Sequence, residues 1–299
     1  MNDSTTHLSE HQRASEMVER FLSLAGISDQ ELVSEASRLL QRQIAEIRRE
    51  GLREPDLAVM GQAYIRAVGR IVAAETEVIL RLGSTRAVTE TRPERQLALR
   101  LLPLGRDVFD VLHGLLLRRA MARAQEGVDR SPRSTRPTAV AHVDVIASTA
   151  LLRQASILDT QRLVDGLFGA AQAAVRDRPV EVIKYVGDGV FLAGPDPREV
   201  AQASLACIHE LARSTGLRSR AGLAFGRVVH RAGDVFGLPV NLSHALTKRA
   251  PEGAVLATAV APAQLPASMC RQPVELEVPG LDAPLLAYRT SSPVVTAGS

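Results

Sequence analysis

Two aspartates set the chemical question. Asp144 lies inside an apolar run, AVAHVDVI (Ala139–Ile146), and Asp188 lies at the tip of EVIKYVGDGVFLAG (Glu181–Gly194). A buried carboxylate without a partner is expensive. Asp144 therefore either caps the next helix or works as a ligand. Asp188 sits in Gly187-Asp188-Gly189, a tight-turn sequence in which Asp needs no reason beyond turn chemistry. Together they say more. If the first strand lies beside the hairpin, its end and the hairpin tip share one edge of the sheet. Two hard carboxylates there, with loop carbonyls between them, suit Mg²⁺ or Mn²⁺ carrying a polyphosphate.

Other polar residues stand near these two in sequence. Lys184 is on the hairpin strand, and period-two alternation puts it on the face of Val182 and Val186. Such a lysine is solvated, interfacial or bound to something. Asp234 follows Gly233 in a turn, and Asn241 opens a helix, where Asn commonly caps. His142 shares the strand face of Asp144. A core-facing, hydrogen-bonded histidine is the simpler reading there than a metal ligand. His113 lies in an apolar helix, where an imidazole can act as a pH switch or simply pack at an interface.

The elements that must position these residues follow from the hydrophobic pattern. Residues 9 to about 126 read as helices. Ser28-Asp29-Gln30-Glu31 has the form of a capping box ahead of Leu32, Ala36, Leu39, Leu40, Ile44 and Ile47. A second helix starts near Pro55 and ends near Gly83. A third covers Pro93–Glu126, with a break expected at Pro103. Its segment VFDVLHGLLL (Val108–Leu117) is apolar on most faces and predicts burial against partner helices, in this chain or a second copy. Gly127–Pro137 reads as a linker.

The second half alternates. Strand Ala139–Ile146, helix Thr149–Arg176, the Glu181–Gly194 hairpin, helix Pro197–Thr215 and strand Arg218–Val229 come first. A short helix over Val240–Arg249 and strands at Gly253–Thr258 and Pro284–Arg289 complete it. The order β-α-β-β-α-β is that of a ferredoxin-like sandwich, an antiparallel sheet with helices on one face. The division expected is a helical domain (1–126) suited to dimerisation, a linker (127–137), an α+β domain (138–290) and a disordered tail (291–299).

Composition narrows the class. The 299 residues are 45% hydrophobic and 23% charged, as in a globular protein of two ordinary domains. A formal net charge of +3, with 33 acids among 36 bases, compels neither a nucleic-acid nor a membrane partner. The two cysteines, Cys207 and Cys270, form no zinc or disulfide pattern. With a polar N-terminus and no long apolar run, a cytoplasmic chain without a membrane span is expected.

Taken together, HVDVIAST, IKYVGDGVFLA and the block Gly222–Thr258 resemble the class III adenylyl/guanylyl cyclase catalytic domain, over about residues 138–290. The helical half, through LLPLGRDVFDVLHGLLLRRAMARA, looks like the regulatory domain of soluble, pH-responsive bacterial cyclases. The resemblance implies conversion of ATP to cyclic AMP. Asp144 and Asp188, with the Val145 backbone, would hold two Mg²⁺ or Mn²⁺, one activating the ribose 3′-hydroxyl and one holding the triphosphate. Val145–Thr149 would approach the phosphates; Ala147 stands where the family usually has Gly, and Ser148 where it usually has an aromatic residue. Lys184 and Asp234 match the pair that reads adenine, and Asn241 the residue that orients the ribose. The family builds each site from two subunits, which implies a head-to-tail homodimer with two shared sites.

One departure matters. The family has an Arg one turn after the Asn, where it meets transition-state charge; here that position is Ala245. Lys248 shares the helix face and leans back towards the gap, so it is the expected partial substitute. The alternative is a catalytically silent homologue that binds nucleotide or serves as a dimeric scaffold. RNA-binding modules of the same topology stack bases on strand aromatics, for which only Tyr185 and Phe191 are present. Diguanylate cyclases carry a different hairpin signature. What the helical half senses, protons or a lipid among the possibilities, is left open.

Overall fold

In a computed structural model, the structure describes residues 43–44, 46–47, 49–51, 53–86, 93–126, 135–148, 153, 155–258, 270–278 and 281–290. The expected capping box at Ser28–Glu31 lies outside them. The chain divides into two compact units, Met1–Asp129 and Arg130–Ser299.

The first unit contains α1 (Glu54–Arg86) and α2 (Pro93–Glu126). The helix runs through Pro103 without the expected break. The Tyr64 hydroxyl of α1 meets His113 Nε2 of α2 at 3.2 Å, and Phe109 stacks on the same imidazole at 5.6 Å. Of the apolar segment of α2, Val111, Leu112, Leu115, Leu116 and Leu117 remain exposed among the described residues.

The second unit is built on β1 (Thr135–Val145), α3 (Ile157–Val175), β2 (Glu181–Val186), β3 (Gly189–Gly194), α4 (Pro197–Thr215) and β4 (Ser219–Arg231). There follow β5 (Asp234–Phe236), α5 (Leu238–Thr247), β6 (Val255–Thr258), β7 (Cys270–Leu276) and β8 (Leu285–Thr290). The sheet runs β2-β3-β1-β4-β6-β8-β7, with β5 paired to β4. β1 pairs antiparallel with both β3 and β4, and β2 with β3. This is the ferredoxin-like order inside an α+β chain, as the resemblance implies, extended by β6, β8 and β7; neither β5 nor β7 is expected from the sequence pattern.

Local chemistry explains most element ends. Asp196 caps α4, whose side chain accepts from the Arg198 amide, and Gly216 closes it in the left-handed conformation. Ser156 caps α3 in a capping box with Asp159, so the helix begins at Ile157 rather than at Thr149. β1 starts at Thr135, within the stretch read as linker, because Thr135–Ala139 pair with β4 up to Val229.

Two sequence expectations are corrected by packing. Helices cover both faces of the sheet, not one. Ala139, Ala141, Val143 and Val145 face α3 and α4 in the main core, while Val140 packs on the other side with Phe191, Val228, Val235 and Val240 of α5. α5 reaches that second face because Gly222 of β4 has no side chain. A Cβ there would strike the Ser243 carbonyl and the Thr247 amide, and come within 2.7 Å of Leu246 Cβ. Second, a β-bulge between Val182 and Lys184 breaks the alternation. Val182 pairs with Leu192 and packs into the main core, whereas Lys184 pairs with Phe191 on the α5 face. Lys184 therefore shares a face with Val186 but not with Val182. Among the described residues, no helix is long and apolar enough to cross a membrane.

Candidate active site

The sequence-predicted aspartates converge. The β1–β3 register places Asp144 opposite Gly189, next to the hairpin tip. Gly187 makes that tip possible, with φ of +59°. The Val145 amide donates to the Asp188 carbonyl at 3.4 Å and the Ile146 amide to the Arg218 carbonyl at 2.8 Å, tying the end of β1 to both neighbours. Ala147 then turns with φ of +58°, the left-handed region that favours glycine. This is the position where the family usually has Gly.

The carboxylates feel each other. Burial, and then the negative charge of Asp188, raise the Asp144 carboxyl above its ordinary value, and Arg220 and Lys248 partly offset this. The two groups therefore repel each other, a condition that a divalent cation with hard oxygen preference relieves. Both aspartates fit such an ion. The described residues contain no cluster of three or more acidic, His or Cys ligands, so remaining coordination would come from backbone, water or substrate oxygens.

Arg220 was missed in the sequence. It stands directly opposite Asp144 in the β1–β4 register. Its Nη1 donates to the Lys248 carbonyl at 2.9 Å, while its buried Nε has no hydrogen-bond partner among the described residues. Only the register signals its role, since RSRAG reads simply as a strand start. Lys248 ends α5 and is exposed, and its charge reaches Asp144, His142 and His244. It therefore lies with the carboxylates of its own chain.

A second cluster forms around Lys184. Its Nζ donates to Asp234 Oδ1 at 2.9 Å and Oδ2 at 3.0 Å. The ammonium lies 5.5 Å from the Phe191 ring centroid and 5.8 Å from that of Phe236. Asp234 is the first residue of β5, set by a β4–β5 turn with positive φ at Ala232 and Gly233. The bulge and this turn bring together two residues fifty positions apart.

Asn241 is exposed in the first turn of α5 rather than at its cap, because the helix already begins at Leu238 behind Gly237. The capping explanation for Asn241 is thereby removed. Ala245 lies one turn on and is partly buried. His142 is buried, as expected of a core-facing residue. It stacks on Phe191 at 4.4 Å and meets His244 of α5, Nδ1 to Nδ1, at 3.3 Å. Burial, then His244, lower its pKa to about 4.

No family model matches the chain. Relatives do. The chain is 30% identical over 233 residues to an uncharacterized protein of Mycobacterium tuberculosis, covering 74% of this chain and 60% of that one. It is 29% identical over 245 residues to the adenylate cyclase of Streptomyces griseus, covering 79% and 61%. It is 29% identical over 256 residues to a pH-sensitive adenylate cyclase of Mycobacterium tuberculosis, covering 85% and 59%. The chain thus spans about 60% of the length of these relatives. Among solved structures it is similar to an adenylyl cyclase of P. aeruginosa, with a TM-score of 0.48, 18% identity and coverage of 55% and 98%.

Proposed function

We propose that this chain, a relative of proteins named adenylate cyclase, converts ATP to 3′,5′-cyclic AMP and pyrophosphate. The observation that supports this most directly is the co-occurrence of two clusters in one sheet unit, Asp144 with Asp188 and Lys184 with Asp234. The ribose 3′-oxygen attacks the α-phosphorus, its proton passes to solvent, and the bond to the bridging oxygen of the leaving pyrophosphate breaks.

Asp144, Asp188 and the Val145 backbone would hold two Mg²⁺ or Mn²⁺. Such ions supply hydroxyl activation and neutralise triphosphate charge. Lys184 and Asp234 read adenine, the ammonium donating to a ring nitrogen and the carboxylate accepting from the exocyclic amine. Asn241, exposed on α5, orients the ribose. Arg220 offers phosphate oxygens a cation beside the carboxylates. Ala245 supplies no cation where the family has Arg, and Lys248, which lies with the carboxylates of its own chain, partly compensates from the other side of the shared site. Turnover is accordingly weak.

The active form is a head-to-tail homodimer with two shared sites. In each, the carboxylates come from one chain and Lys184, Asp234 and Asn241 from the other. The exposed apolar Phe236 beside Lys184, and exposed Val186 on the same strand, favour burial of this face against a second copy. The helical unit is read as a regulatory and dimerisation domain. Ala245 also favours a second reading, a silent homologue that binds nucleotide or acts as a scaffold.

The deciding experiment is cyclic AMP formation from ATP and Mn²⁺ from acid to neutral pH, beside Asp188→Ala and Ala245→Arg. Product lost in Asp188→Ala and increased in Ala245→Arg supports the enzyme. No product from the wild type or from Ala245→Arg leaves the silent homologue.

A further inference from the structure

The second face of the sheet carries a histidine pair that the proposed reaction does not use. His142 is on β1 and His244 on α5, with ring centroids 4.9 Å apart and planes inclined at 41°. Their Nδ1 atoms stand 3.3 Å apart. This distance is that of a hydrogen bond between the two rings. It matches the separation, about 3.3–3.4 Å, of two nitrogens each about 2.0–2.1 Å from one tetrahedral Zn²⁺.

The surroundings fix this geometry. The Nε2 edge of His142 is closed by the hairpin, since a Cβ on Gly189 would lie 2.5 Å from it. Phe191 covers the ring face. The Thr247 hydroxyl donates to the His142 carbonyl at 2.9 Å, holding α5 on this strand. Nδ1 is therefore the nitrogen that His142 turns towards α5, where it meets His244 Nδ1. His244 is exposed, which gives an ion a route in and leaves room for water.

We infer that His142 and His244 form a binding site for a borderline transition-metal dication such as Zn²⁺, distinct from the hard-cation site at Asp144 and Asp188. Imidazole favours Zn²⁺, Ni²⁺ and Cu²⁺ over Mg²⁺, so excess Mg²⁺ does not compete. With no third protein ligand of the acidic, His or Cys types among the described residues, water completes the coordination. Lys248 opposes the ion electrostatically, which keeps the affinity modest. A bound ion would clamp β1 to α5, the elements bearing Asp144 and Asn241. That last consequence rests on the cyclase reading, whereas the site itself does not.

The test is calorimetric titration of the full-length, metal-stripped chain with Zn²⁺ in excess Mg²⁺ and without nucleotide. The wild type is compared with His244→Ala, His142→Phe and Asp188→Asn. His142→Phe keeps an aromatic ring on Phe191, so lost binding is not lost packing. Cu²⁺ electron paramagnetic resonance then counts the nitrogen ligands. The expected result is one site weakened at least tenfold by either histidine variant and unmoved by Asp188→Asn, with two coordinated nitrogens. Three results overturn the proposal. One is no wild-type binding, which leaves a hydrogen bond only. Another is equal affinity in His244→Ala. The third is loss of the site in Asp188→Asn, which places the ion at the carboxylates. Since no turnover is measured, failure here is separate from failure of the cyclase reading.

Discussion

Lys184 and Asp234 form a two-oxygen ion pair, at 2.9 and 3.0 Å, on the face of the sheet opposite α3 and α4. Both side chains are about a quarter exposed, at 26% and 25%. A pair of this exposure contributes only about 0–1 kcal/mol to stability. Lys184→Ala and Asp234→Asn are therefore expected to leave the melting temperature nearly unchanged. Each should weaken ATP binding roughly tenfold or more and narrow the preference for ATP over GTP, since a site built to pair with a polar edge loses discrimination when one partner goes. Nucleotide titration by fluorescence checks this. Unchanged selectivity in both variants would remove the pair from base recognition.

The carboxylate pair gives a pH prediction. The native pKa of Asp144 is raised above its ordinary 3.8, first by burial and then by Asp188. The folded state thus holds this proton more tightly than the unfolded chain. Stability falls as pH rises from 3.8 through the raised native value, and the loss is complete above it. In metal-free buffer Asp144→Asn is expected to raise the melting temperature at neutral pH, with the gain vanishing below pH 3.8. Mn²⁺ should stabilise the wild type and do so less for Asp144→Asn. Thermal scans with and without Mn²⁺ measure both effects.

Ala245→Arg restores a pre-placed cation on α5. The expected rise in turnover is on the order of 10²-fold, the worth of one donor to transition-state charge. Lys248→Ala is expected to lower wild-type turnover and to matter less in the Ala245→Arg background. Such non-additivity identifies two groups serving one charge. Additive effects would place Lys248 outside that role.

Gly222 tests how α5 is seated. A methyl group there meets the Ser243 carbonyl, the Thr247 amide and Leu246 Cβ. Gly222→Ala is expected to destabilise the domain by about 1–3 kcal/mol, the usual cost of overpacking, seen as a lower melting temperature. Gly226→Ala, whose nearest neighbour would be Pro239 Cγ at 3.1 Å, should be milder because it meets a side-chain carbon rather than backbone.

Several features were legible in the sequence because they are set by adjacent residues. The Gly187-Asp188-Gly189 turn needs only a positive φ at Gly187. The Pro197–Thr215 helix is bounded by its own Asp196 and Gly216 caps. The alternation of β1 places Asp144 and His142 on one face. The convergence of Asp144 and Asp188 followed once the first strand was set beside the hairpin, a placement that βαββαβ connectivity imposes.

What only the tertiary structure decided depends on contacts between distant segments. The bulge that turns Lys184 away from Val182 is fixed by what Leu192 and Phe191 bury on opposite faces, and no local residue announces it. The start of α5 at Leu238, which takes Asn241 off the cap, depends on the β4–β5 turn delivering Gly237 against Arg227 and Val228 of β4. Arg220 and the His142–His244 pair arise from register and from α5 crossing the second face. Turn and cap preferences are short-range and written in a few neighbouring residues. Register, face and helix placement are chosen by burial summed over the whole sheet.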